Sequence, residues 1–202
     1  MSACRCPAIA VMFLALAASV AFAGTPGKVQ PMDPKALQAW MAAAAPAAGH
    51  QKLLDYVGNW TTHQTDWMPT GTKWNEADGT ATCRLILGGR FVQEDYTTTL
   101  DGHPLHGLGL TGFDRQKNVY VSVWMDDFGT GIVSLEGGFD GTSHVLTLLG
   151  APEGAGVEGR PAVGWRVTDT WWDKNHHAMA WWGQAADGRP VKLSEILYTR
   201  NL

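Results

Sequence analysis

The chain has 202 residues and a formal charge of −4, from 15 Lys plus Arg against 19 Asp plus Glu, and only 17% of it is charged. That is too apolar for a disordered chain and too weakly basic for a nucleic-acid binder, so no nucleic-acid partner is expected. Its 24 Gly and 10 Trp need a reason, which is a heavy aromatic core, a ligand cavity or both.

The first element reads as an export signal. One positive charge, Arg5, precedes an apolar run from Ala8 to Val20 and the small-x-small ending Ala21-Phe22-Ala23. The run is shorter than the roughly 20 residues of a membrane-crossing helix. Residues 1–23 are therefore expected to be cleaved after Ala23, leaving a periplasmic or secreted protein with no integral membrane span. Cys4 and Cys6 leave with the signal, and Cys83 then has no partner for an internal disulfide. Its alternation with Ala81, Leu85 and Leu87 suits a buried, inert thiol.

Residues 24–49 form a leader. Gly24 to Gln30 is rich in Gly, Pro and Lys, and Asp33-Pro34 then reads as an N-cap with proline in the first helical turn. A helix is predicted over Lys35 to Ala45, stopped by Pro46, and a second short one from about His50 to Tyr56. The domain from 50 to 202 changes character after Trp60. Runs rich in Val, Thr, Leu, Tyr and Trp are punctuated by Asp78-Gly79, Gly88-Gly89, Asp101-Gly102, Asp126 to Gly129, Asp173 to Asn175 and Asp187-Gly188. Ten strands are predicted, at 58–68, 79–87, 90–99, 105–113, 117–126, 130–137, 142–149, 161–172, 176–185 and 190–200, with a Gly-rich loop from Gly150 to Gly159. Short turns make neighbours antiparallel, because parallel strands need long crossovers. A sheet that long curls, and closure removes its exposed edges. The expected fold is all-β, a single antiparallel up-and-down barrel of about ten strands.

Strand parity then divides the side chains. Tyr120, Ser122, Trp124 and Asp126 share one face of their strand, opposite Val119, Val121 and Val123. Val92, Glu94 and Tyr96 oppose Phe91, Gln93 and Asp95. A lumen lined by aromatic and hydrogen-bonding groups produces such faces, and so does a sheet with one covered and one wet side. The pairs Trp171-Trp172 and Trp181-Trp182 each put one ring on each face, and up to four rings are expected to cluster near the Asp173 to Asn175 turn. Their outer face would be covered by helices or would serve a partner, a homodimer through this hairpin included.

Several segments carry a family resemblance. Gly58-x-Trp60 after a short helix resembles the calycin barrels, which include the lipocalins. Leu87-Gly88-Gly89-Arg90 with Val92-Gln93-Glu94, Gly107-x-Gly109-x-x-Gly112-Phe113-Asp114, Tyr120-Val121-Ser122-x-Trp124-x-Asp126, Gly129-Thr130-Gly131-Ile132, Glu136-Gly137 and Tyr198-Thr199-Arg200 together resemble the bacterial domain-of-unknown-function family 1579. The resemblance covers about residue 50 to the end. It implies an exported lipocalin-like barrel whose first-strand tryptophan, Trp60, plugs the closed end, and it carries no activity. This chain departs from the family in having Phe113 where a Tyr is usual, and Ala178-Met179-Ala180 after His176-His177 where an acidic residue is usual.

Gly107-Leu108-Gly109-Leu110-Thr111-Gly112 matches the dinucleotide fingerprint in letters only. That chemistry needs a helix N-terminus next, and a turn and strand follow. Glycines there serve a bend or a close approach. The histidine spacings at His103/His106 and His176/His177 fit no standard zinc pattern, and no nucleophile elbow is present. No cofactor, metal or catalytic residue is assigned. The candidate ligand-binding residues are Glu94, Tyr120, Ser122, Trp124, Asp126, Thr130 and Tyr198, with Trp60 beneath Arg200 as the structural plug. Three readings follow: a barrel binding a small apolar or amphipathic molecule, an enzyme of isomerase or hydrolase type using a carboxylate and a histidine in the same cavity, or a filled structural barrel of the envelope.

Overall fold

The computed structural model describes residues 31–142, 144–150, 164–185 and 187–202. The signal, the Gly24 to Gln30 segment and most of the Gly-rich loop lie outside the described residues. The chain divides into two units at Ala44 and Ala45. In the first, helix α1 (Pro34–Ala43) starts where expected, with the Asp33 carboxylate accepting from the Lys35 N–H at 3.3 Å. It buries none of its residues, and Leu37, Trp40 and Met41 are exposed.

The second unit is a closed antiparallel barrel. After the short helix α2 (Ala48–Gln51) and a 3-10 turn (Lys52–Tyr56) come β1 (Gly58–Trp67), β2 (Lys73–Ile86), β3 (Phe91–Leu100), β4 (His103–Asp114), β5 (Val119–Asp126), β6 (Val133–Asp140), β7 (Val145–Gly150), β8 (Arg166–Asp173), β9 (His176–Gln184) and β10 (Pro190–Arg200). Each strand pairs with the next, and β10 closes onto β1 with Trp60 opposite Arg200. Among the described residues no strand is left at an edge, which is what closure achieves for a long sheet.

Two details depart from the sequence reading. Asp78-Gly79 lies inside β2, paired with His63 and Thr62, and the hairpin turn is at 68–72. The glycine is needed for space: a Cβ at 79 would lie 2.8 Å from Thr62 Oγ1 and 2.9 Å from Thr98 Cβ. The four hairpin tryptophans do not cluster. Register sets Trp171 opposite His177 and Trp181 opposite Val167, so the inward rings sit four residues apart along β8, roughly 13 Å at the usual strand rise. Trp171 joins the closed end and Trp181 the open end.

The closed end is an aromatic plug. Trp60 is fully buried, donates from Nε1 to the Tyr56 carbonyl at 2.8 Å, and lies under the Arg200 guanidinium, 4.0 Å from its ring centre. Arg200 also donates to the carbonyls of Val57, Asp55 and Lys174, tying β10 to the 3-10 turn and to the β8–β9 turn. Leu53 and Tyr56 of the 3-10 turn pack beneath.

Candidate functional site

Parity decides what enters the lumen. From β1 come Trp60, Thr62, Gln64 and Asp66; from β3, Val92, Glu94, Tyr96 and Thr98; from β8, Val167 and Asp169; from β10, Ile196 and Tyr198. The polar members separate into three clusters along the barrel axis.

The lowest cluster centres on Asp169. Its carboxylate accepts from Tyr56 Oη at 2.6 Å and Trp171 Nε1 at 3.0 Å, and pairs with His177 Nδ1 at 2.7 Å. His177 is sandwiched between Trp171 and Tyr198, each ring 4.2 Å away and nearly parallel, with the edge of Trp60 at 4.9 Å. Burial and the neighbouring carboxylate push the Tyr56 hydroxyl well above its ordinary range.

Above it lies a small cavity of about 40 Å³, lined by Tyr56, Cys83, Glu94, Gly109, Thr111, Ser122, Trp124, Asp169, Met179, Trp181 and aliphatic side chains. Glu94 accepts from Tyr198 Oη at 2.9 Å. Desolvation raises the pKa of this carboxylic acid, opposed by the Tyr198 hydrogen bond and the nearby His177. Burial raises the Tyr198 hydroxyl well above its usual range, with the Glu94 charge adding to it, and burial also raises the Cys83 thiol. Such a thiol is protonated and unreactive. Ser122 and Thr111 hydroxyls share a hydrogen bond at 3.0 Å.

The third cluster lines the mouth, a cavity of about 380 Å³ open to solvent. Trp74, Tyr96, Trp124, Trp165 and Trp181 form much of its wall, with Leu100, Leu105, Val133, Leu193 and Ile196. Its polar groups are Gln64, Asp66, Asp126 and Ser194. Asp66 is only 4% exposed and accepts from Gln64 Nε2 at 2.9 Å and Asn75 Nδ2 at 2.7 Å, while Tyr96 Oη donates to Gln64 Oε1 at 2.7 Å. Burial pushes the Tyr96 hydroxyl up to about 12. Trp124 Nε1 donates to Asp126 at 2.9 Å, whereas the buried Trp165 Nε1 has no acceptor among the described residues. Trp124 and Trp181 line both cavities, so their rings form the floor between them.

The glycine run of β4 exists for these rings. A Cβ at Gly107 would collide with the Trp124 indole, one at Gly109 would lie 3.3 Å from Glu94 Oε2, and one at Gly112 would collide with Phe91. The three glycines clear space for side chains across the strand, and no helix follows them.

Of the residues singled out from sequence, Glu94, Ser122 and Trp124 line the deep cavity, Tyr198 bonds to Glu94, and Trp124 and Asp126 line the mouth. Tyr120 lies at the closed end, donating to the Gly49 carbonyl at 2.9 Å and packed on Phe113 and Phe139. Thr130 sits in the exposed turn before β6 and lines neither cavity. Sequence reasoning passed over Gln64, Asp66, Tyr96, Trp165, Asp169, His177 and Trp181. Among the described residues no His/Cys/Asp/Glu group has metal-ligating geometry, and no helix is long and apolar enough to cross a membrane.

Comparison with known proteins places the chain by fold and family. A model of the family described as "Protein of unknown function (DUF1579)" matches residues 45–200. The crystal structure of Rv2717c from M. tuberculosis is similar with a TM-score of 0.57 at 15% identity, over 78% of this chain and 100% of that one. A protein of unknown function of the DUF3598 family from Nostoc punctiforme matches over 77% of this chain and 100% of its own, at 8% identity and a TM-score of 0.24. No curated protein matches the sequence.

Proposed function

The chain belongs to the DUF1579 family, and from that premise we propose that it is an exported barrel whose mouth binds a small, partly apolar molecule. The observation that carries this reading is the mouth cavity. At about 380 Å³ it exceeds the roughly 300 Å³ from which ligand pockets begin, and its walls are aromatic with few polar groups. The buried Trp165 N–H, which has no acceptor among the described residues, supports it further, because a buried donor without a partner costs roughly 1–3 kcal/mol that a ligand acceptor would restore.

The same geometry favours binding over catalysis. The structure does contain a carboxylate–histidine pair, Asp169 with His177, but rings cover both faces of that imidazole and the adjoining cavity of about 40 Å³ holds no substrate-sized molecule. Export with cleavage after Ala23 belongs to this proposal, and the mass of the protein recovered from the periplasm tests it. Binding is tested with the neutral fluorophore N-phenyl-1-naphthylamine. We expect saturable enhancement and quenching of tryptophan emission, both weakened in Trp124→Ala with the fold retained by circular dichroism. Absence of saturable binding to the wild-type protein overturns the reading.

A further inference from the structure

Charge distribution around the mouth points to the class of ligand. We propose that the mouth selects an organic cation, an ammonium carrying apolar substituents, which would sit against the aromatic wall between Asp66 and Asp126; this rests on the mouth being a binding site at all. Among the described lining residues there is no Lys, Arg or His, while two carboxylates are present. Asp66 is buried, and it accepts from the neutral amides of Gln64 and Asn75. Asp126 accepts from the Trp124 indole and from the Phe128 N–H. Neither carboxylate takes part in an ion pair with a described residue. Carboxylates held this way beside an apolar, aromatic wall leave a negative potential that repels carboxylates and phosphates and attracts cations.

The rings supply the second half of the recognition. Aromatic faces attract cations through their quadrupole, and clusters of such faces are a known way to hold ammonium groups. Among the described residues this barrel uses that attraction repeatedly, on rings outside the mouth: Lys52 over Phe139, Arg166 over Trp182, Lys192 over Trp67 and Arg200 over Trp60. No described cation stacks on Tyr96, Trp124, Trp165 or Trp181, all of which line the mouth. Trp165 and Trp181 meet edge to face at 5.9 Å, as do Tyr96 and Trp124 at 5.9 Å, which sets faces at different angles around one space. Lipid-like anions, by contrast, would enter with no described basic residue to meet them.

The test compares three probes of similar size on the intact protein, read by displacement of N-phenyl-1-naphthylamine. They are benzyltrimethylammonium, its neutral carbon isostere neopentylbenzene, and phenylacetate. The ammonium should displace at a concentration at least about tenfold below that of the isostere, the ratio expected for cation–π and carboxylate attraction together. Phenylacetate should not compete. Asp66→Asn and Asp126→Asn should each erode the ammonium preference severalfold while still binding the fluorophore, and Asp126→Asn carries the test if Asp66→Asn does not fold. If the neutral isostere binds as well as the ammonium, the mouth is merely apolar; if the preference survives in both variants, the carboxylates do not set it; either result overturns the cation proposal and leaves the binding proposal intact. If the fluorophore itself does not bind, both fall.

Discussion

At the closed end of the barrel, Asp169 accepts three hydrogen bonds, His177 is stacked on both faces, and Arg200 spends its donors on three carbonyls. At the open end, a comparable number of aromatic rings surrounds a space instead of filling it, two carboxylates lack cationic partners among the described residues, and an indole N–H lacks an acceptor there. Both ends draw on the same residue types. The difference is satisfaction: a group with all its partners contributes stability, while a group short of one is available to a ligand. Substitutions of the same kind at the two ends should therefore have different consequences.

The largest contrast is between two lumen carboxylates. Asp169→Ala strands the donors of Tyr56, Trp171 and His177 inside the protein, and about 3–5 kcal/mol of stability should be lost. Asp126→Ala at the mouth should cost less, about 1 kcal/mol, since the Trp124 and Phe128 donors that it frees lie at the solvent-open rim. Urea denaturation of both variants measures the pair. Equal losses would mean that the mouth is as tightly built as the plug, and the distinction between the two ends would collapse.

Why one end was easier to read than the other follows from how far its determinants reach along the chain. Ten strands and their antiparallel order are local properties, written in period-2 alternation and turn dipeptides, and ten strands stand among the described residues, most near the expected bounds, with β2 (Lys73–Ile86) beginning earlier and β8 (Arg166–Asp173) later than the sequence pattern indicates. Asp78-Gly79 misleads because a glycine required by Thr62 and Thr98 across the sheet has the same letters as a turn. Parity also tells which side of a strand a ring takes, but only register tells which end of the barrel. Hence Trp171 and Trp181, which look like neighbours in the hairpin, serve opposite ends. The Asp169 cluster joins groups 113 residues apart, and nothing near Asp169 announces Tyr56. One signal was present: parity along β8 sets Asp169 on the face of Val167 and Trp171, which is a buried acid among apolar neighbours and so demands donors.

A milder contrast uses one substitution twice. Trp171→Phe removes a donor that Asp169 uses, and roughly 1–2 kcal/mol should be lost beyond the change in packing. Trp165→Phe removes a donor that has no acceptor among the described residues, so the unliganded protein should lose less than the Trp171 variant and could gain a few tenths of a kcal/mol. Thermal unfolding without ligand orders the two. If Trp165→Phe proves the more damaging, its N–H is satisfied in solution and the mouth has no free donor to offer a ligand acceptor.

Between the two ends stands Glu94, whose contribution to stability changes with pH. Its folded pKa is raised, chiefly by desolvation, so the folded state holds this proton more tightly than the unfolded chain does. The resulting stabilisation is complete below the unfolded carboxylate pKa and is lost as pH rises through the folded value. Above that value, the folded protein carries the cost of an ionised carboxylate beside the Tyr198 hydroxyl and the lumen. Glu94→Gln keeps an acceptor for Tyr198 and removes the ionisation. The stability of this variant relative to wild type should thus climb with pH and level off above the folded pKa. The climb amounts to about 1.4 kcal/mol for every tenfold difference in proton affinity between the folded and unfolded chain. Urea midpoints of both proteins from pH 4 to pH 9 trace the difference, in which the other carboxylates cancel. A difference that stays flat would show that water enters the small cavity and solvates the carboxylate, which would move Glu94 from the filled half of the barrel to the open one.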